Sequence, residues 1–263
     1  MPPLDHDSLI ELQRLLLPSA LPSIGCTEAA AAYRSANDRL QVGGDWFDLI
    51  DRPDNNTVIG VVGDVVGHGL AQVGVMGQLR AASSALSHVS AEPGAVLDGL
   101  DRFAETVAGA EHATVAVVVL DGSDRARTAS AGHPPPIRVT PDGGTEVIET
   151  GRRAPLTVPS CAGPTSFELC VGDLLVMYTD GVVERSGEHI DRGIESLSRF
   201  VACRRGLDCL DIAAAIVDEF GADAVDDQAV LVLRPVHRRS ERRRPMASTV
   251  SLAKGESIRG VAA

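Results

Sequence analysis

The chain has 263 residues, 44% of them apolar and 23% charged, an ordinary balance for a globular protein able to bury one large core or two small ones. A net charge of -12 and an aromatic content of only 3% argue against nucleic-acid and acidic-membrane binding, because polyanions are repelled and few rings are present to stack on bases. No apolar run approaches the roughly 20 residues of a membrane helix, and Asp5, Asp7 and Glu11 give the N-terminus the wrong charge for a secretory signal, so a cytoplasmic chain is expected.

In chain order, Leu9, Leu12, Leu15 and Leu16 recur at helical spacing, predicting a helix over residues 8–17 that ends at Pro18. Pro22, Gly25 and the small-residue run Ala29, Ala30, Ala31 and Ala32 read as a loop leading into a first strand. Strand-like runs at 46–50 and 57–62 flank a turn-rich connection and predict a hairpin. Helical patterns follow at 70–89 and 93–107, the second opened by Glu92-Pro93, with proline at the first helical position. Strands are predicted at 112–121, 125–130, 137–140 and 145–150, the last two joined by Pro141-Asp-Gly-Gly, a strong turn signal. Strands at 167–170 and 173–179, helices at 192–203 and 207–220 and a strand at 228–233 complete the pattern. Strands come in hairpin runs and helices in pairs between them, which fits α+β with antiparallel sheets and outer helices. After Pro235 the crowded arginines Arg238, Arg239, Arg242, Arg243 and Arg244 open a basic tail expected to be disordered. The expected organisation is a regulatory or linker helix over 1–24, a catalytic domain over 25–235 and the tail over 236–263. The scattered cysteines Cys26, Cys161, Cys170, Cys203 and Cys209 include no Cys-x-x-Cys pair and read as reduced thiols, not a zinc site.

Four aspartates form a pattern that composition does not explain. Asp45 follows Gly43-Gly44 and opens a strand. Asp64 closes one and leads into Val65-Val-Gly-His-Gly. Asp180 closes another and precedes Gly181, and Asp226-Asp227 stand before the last. Sheets fix strand ends in space, and glycine lets the backbone approach a ligand closely. Converging carboxylates repel one another unless a cation neutralises them, and all-oxygen donors point to hard ions, Mg²⁺ or Mn²⁺. Two such ions about 3.5–4 Å apart would suit phosphate hydrolysis. Taken singly, an Asp beside Gly is usually just a turn residue, and only the set points to a metal.

The same residues lie in five ordered motifs: Val42-Gly-Gly-Asp-Trp-Phe-Asp, Gly63-Asp-Val-Val-Gly-His-Gly, Ala129-Ser-Ala-Gly-His-Pro-Pro, Tyr178-Thr-Asp-Gly-Val-Val-Glu and Asp226-Asp-Gln-Ala-Val-Leu-Val-Leu. Together they resemble the bacterial stage II sporulation protein E / RsbU branch of the PPM (PP2C-like) serine/threonine phosphatases. Leu12-Gln-Arg-Leu-Leu-Leu-Pro is similar to the helix and proline that precede that catalytic domain. The resemblance implies an α-β-β-α sandwich and two divalent cations, Mn²⁺ or Mg²⁺. It implies that Asp45, Asp64 and the Val65 carbonyl hold one cation and that Asp64 bridges to a second, completed by Asp180 and Asp226. Asp227 is then the outer neighbour of Asp226, and a metal-bridging water attacks phosphorus directly. The implied substrate is a phosphoserine on a STAS-domain anti-sigma factor antagonist in a partner-switching pathway. Most members of the branch carry a sensor domain ahead of the phosphatase; here that place holds the helix at 8–17, whose apolar stripe could pair with a second copy or pack on its own domain.

The chain departs from the wider family where Val65-Val66 separate Asp64 from Gly67-His68. His68 can therefore shape its loop or donate a proton. His133, in Ala-Gly-His-Pro, reads as a structural hydrogen-bonding residue or a site residue. No phosphate-gripping arginine can be assigned. Two other readings compete with the active phosphatase: a non-catalytic phosphatase-like module that binds a STAS or anti-sigma partner, and a two-metal nuclease. The retained acids disfavour the first, and charge and scarce aromatics the second.

Overall fold

The structure, a computed structural model, describes residues 12, 15–35, 43–53, 56–149, 151–160, 163–221, 226–237 and 250–252. Two antiparallel hairpin systems dominate it. One sheet is built on β2 (Trp46–Arg52), β3 (Thr57–Asp64), β4 (Thr114–Leu120) and β5 (Arg125–Ala131), in that order. At its far edge β8 (Arg152–Arg153) and β9 (Thr165–Glu168) both pair with β5. The other sheet has the order β12 (Val250–Leu252), β1 (Thr27–Arg34), β11 (Gln228–Pro235), β10 (Leu174–Tyr178), β6 (Ile137–Val139) and β7 (Thr145–Val147).

Helices α1 (Leu70–Val89) and α2 (Pro93–Ala104) cover the first sheet. Helices α3 (Ile190–Arg204) and α4 (Cys209–Phe220) cover the second. The expected α-β-β-α sandwich is the observed architecture. The central strands are buried throughout because each has the inter-sheet core on one face and helices on the other. That explains why β4 reads as an apolar run, TVAVVVL, with no polar alternation. Helix starts follow local chemistry: Pro93 occupies the first turn of α2, and the Asp208 carboxylate accepts the Asp211 amide at 2.8 Å to cap α4.

The alanine run of 29–32, expected to be loop, is strand β1. Ala29, Ala31 and Tyr33 face the core between the sheets. Ala30 and Ala32 face the helices, in the cluster that holds Ile212, Ile216 and Val217. Alanine has weak strand preference, but here pairing with β11 over eight residues and burial on both faces outweigh it. Two further departures are short. The strand expected at 167–170 lies at Thr165–Glu168, and within the tail read as disordered, Val250–Leu252 pairs in parallel with β1.

Of the leucine stripe near the N-terminus, Leu9 and the arginines of the tail lie outside the described residues. Leu12 and Leu16 pack against the core, Leu17 is buried, and Leu15 is exposed. Cys26, Cys170, Cys203 and Cys209 are free thiols; Cys161 is outside the described residues. No helix among the described residues is long and apolar enough to cross a membrane.

Candidate metal centre

Each sheet delivers two acids to the same rim of the sandwich. Trp46 pairs with Gly63 across the β2–β3 hairpin, so Asp45, just before β2, stands beside Asp64 at the end of β3. In the other sheet Tyr178 pairs with Val230, which brings Asp180, just past β10, alongside Asp226 and Asp227, just before β11. Asp180 opens a short 3-10 turn, Asp180–Val182. Its carbonyl accepts the amides of Val183 and Glu184 at 2.8 and 2.7 Å.

Glycines allow these segments to meet. The Val65 amide donates to the Gly44 carbonyl at 3.2 Å, and a Cβ on Gly44 would come within 2.2 Å of the Val65 carbonyl oxygen. A Cβ on Gly181 would come within 2.0 Å of the Asp227 carbonyl oxygen. Any side chain at either place would push the acid-bearing loops apart.

Electrostatics tie the acids together. Burial, followed by repulsion from Asp64, Asp227 and Asp180, holds the Asp45 carboxyl well above the usual carboxylate range. Burial and repulsion from Asp180 push Asp64 to about 7, opposed by a hydrogen bond with Asp45. Burial, then Asp226 and Glu184, push Asp180 to about 6. Among the described residues no arginine, lysine or histidine forms an ion pair with Asp45, Asp64, Asp180 or Asp226. Nor do three or more His, Cys, Asp or Glu side chains among them close into a ready-made cage. The donor set nonetheless fits hard divalent cations: it is all oxygen, acidic and, among the described residues, without an ion-paired cation. Neutralising it would relieve the repulsion that raises these pKa values.

The two acids of the last motif differ. Asp226 is exposed, and its Oδ1 accepts the Asp227 amide at 2.8 Å. Asp227 is buried and accepts a hydrogen bond from the Tyr33 hydroxyl. Asp226 is thus the freer donor, and Asp227 is already held by protein. The two histidines also separate. His68 is exposed on the loop after Asp64, and its backbone bridges to Gly43. His133 is buried, its Nδ1 lies 2.8 Å from the Thr114 hydroxyl, and burial drives its pKa to about 3. Its ring is neutral at physiological pH and offers no imidazolium acid.

Two buried hydroxyls that sequence reasoning did not single out also reach the acids. Thr179 donates to Asp45 Oδ2 at 2.7 Å, and Tyr33 donates to Asp227. Thr179 lies inside a motif already noted for Asp180. Tyr33 carried no signal, since its partner is 194 residues away.

The chain also resembles known proteins in sequence and in fold. The family model of stage II sporulation protein E (SpoIIE) matches residues 54–236. Among solved structures, the RsbU and RsbW domains of a Mycobacterium tuberculosis protein superpose with a TM-score of 0.79 at 30% identity, over 86% of this chain and 64% of that one. The PP2C phosphatase domain with a regulatory fragment of SpoIIE from Bacillus subtilis gives 0.70 at 17% identity, over 81% and 64%. The SiaA PP2C domain of Pseudomonas aeruginosa gives 0.71 at 19% identity, over 87% and 96%. The chain therefore spans less than two thirds of the first two neighbours, and the more distant pair share its fold. From the family match and the ordered acid motifs, the chain belongs to the SpoIIE family of PP2C-type phosphatase domains.

Proposed function

We propose that this chain is a metal-dependent serine/threonine phosphoprotein phosphatase acting on a phosphoserine of a STAS-domain anti-sigma factor antagonist. The observation that carries the reading is the convergence of two acids from each sheet on one rim, without cationic partners among the described residues, in a SpoIIE-family chain. Asp45 and Asp64, with the Val65 carbonyl, would hold one cation. Asp64 would be shared with the other, which Asp180 and Asp226 complete while Asp227 stays in the outer layer. When bound, Mn²⁺ or Mg²⁺ would supply charge neutralisation at the phosphoryl group and activation of a water for attack at phosphorus. The chain's own residues would orient that chemistry: the glycine contacts hold the acid-bearing loops close together, and the Tyr33 hydroxyl bonded to Asp227 would leave Asp226 as the donor. His68 is the exposed candidate for protonating the leaving serine oxygen; His133, buried and neutral, has a structural role beside Thr114.

The choice of substrate rests on the branch the motifs resemble and on the 30% identity to a chain that carries RsbU and RsbW domains. The test is Mn²⁺-dependent phosphate release from a phosphorylated STAS protein. Asp64→Asn and Asp180→Asn are each expected to lower turnover by about 100-fold or more, on the order of 3 kcal/mol of barrier. Undiminished turnover in both variants would refute the site. A parent protein that binds the STAS partner but releases no phosphate at any metal concentration would instead make the chain a non-catalytic binding module.

A further inference from the structure

The hydroxyl of Thr179 has no part in the chemistry assigned above, yet it is fully buried at the junction of the two sheets. It leaves β10 in an extended conformation, with φ -85 and ψ 161, immediately before the turn that carries Asp180. Its Oγ1 accepts the Ala229 amide of β11 at 2.9 Å and lies 2.7 Å from Asp45 Oδ2 at the head of β2. A second acceptor, the Ala229 carbonyl, is farther away at 3.5 Å. With the Ala229 N–H occupying one lone pair, the single hydroxyl proton is directed to the nearer acceptor, the Asp45 oxygen. The hydrogen bond therefore runs from one sheet to the other. It occupies Asp45 Oδ2, while Asp45 is also hydrogen-bonded with Asp64.

We propose that Thr179 is a positioning residue that locks the Asp45 carboxylate in the orientation needed to take a divalent cation. It would thereby couple the half-site on β2–β3 to the half-site on β10–β11. The inference rests on the metal centre proposed above. Outer hydrogen bonds of this kind orient ligating carboxylates, and their removal typically weakens metal binding by about 10–100-fold. The dipeptide Thr179-Asp180 then serves both halves of the centre: its hydroxyl holds an acid of one sheet while its carboxylate belongs to the other.

The experiment measures Mn²⁺ binding to the full chain by isothermal titration calorimetry, without substrate, alongside the thermal midpoint. Thr179→Val keeps the β-branched shape and removes the donor; it is expected to bind Mn²⁺ about tenfold or more weakly. Thr179→Ser restores the hydroxyl and is expected to stay within about threefold of the parent, a rescue that loss of packing would not produce. Thr179→Cys, a poor donor of similar size, replaces the valine variant should that one not fold, with the same loss expected. Parent-like affinity in the valine or cysteine variant would overturn the proposal, as would a serine variant as weak as they are. A parent chain that binds no Mn²⁺ at all would remove the metal centre itself, and the positioning role with it.

Discussion

At the scale of single residues, the acids at the rim act through charge more than through contact. Asp64 and Asp180, raised to about 7 and about 6 by burial and mutual repulsion, bind protons more tightly in the folded chain than in the unfolded one. Their contribution to the stability of the metal-free fold is therefore complete below the ordinary carboxylate range. It is lost as pH rises through about 6 and about 7. In EDTA, the thermal midpoint should fall between about pH 5 and about pH 8, and Mn²⁺ should restore it most at the upper end. Mn²⁺ affinity should correspondingly weaken as pH drops below about 7, because cation and proton compete for the same oxygens. A metal-free midpoint that rises over that interval would contradict the repulsion on which the site reading stands. At this scale the sequence was informative wherever an acid sat beside its own glycine, as at Gly44-Asp45 and Asp180-Gly181. It was silent on Tyr33 and Thr179, because their partners are remote in the chain and a lone hydroxyl residue carries no pattern.

At the scale of elements, one ion pair ties the helix layer to the strand that begins at the centre. Arg80 of α1 reaches Asp48 of β2 at 3.3 Å and donates to the Leu16 carbonyl at 2.9 Å. The Asp48 side chain is nearly closed to water, and burial raises its pKa even with Arg80 alongside. Arg80→Met should leave that carboxylate without its counter-charge and the Leu16 carbonyl without its donor. The expected loss is about 1–3 kcal/mol, read by urea unfolding, with the midpoint shifted and the slope unchanged. Periodicity located the two helix pairs and most strands, since the amphipathic faces of α2 and α3 and the apolar runs of β4 and β11 are local signals. It failed at β1, where four alanines carry no strand signal of their own. Only pairing with β11 and burial of both faces make them a strand.

At the scale of the whole molecule, the metal centre depends on how closely the two sheets stack. A Cβ on Gly60 of β3 would lie 3.2 Å from Leu231 and 3.3 Å from Met177, so the sheets touch through these fully buried side chains. Leu231→Ala should cost about 2–5 kcal/mol through the cavity it leaves. Because that residue sits on the strand that follows Asp226, the same substitution should also weaken Mn²⁺ binding, measured by calorimetry well below the melting transition. Loss of stability with wholly unaltered Mn²⁺ affinity would mean that the half-sites are not coupled through the core. The chain by itself determined the α+β class, the hairpin runs, the acid-glycine pairs and, through ordered motifs, the family, because all of these are written in neighbouring residues. Only the tertiary structure decided that Asp45 and Asp64 come from one sheet while Asp180 and Asp226 come from the other. It likewise decided that Asp227 is held by Tyr33, that His133 is sealed away from water, and that Thr179 spans the gap. Those facts depend on which distant segments are brought within hydrogen-bonding range, and burial in a shared core, not local pattern, sets that range.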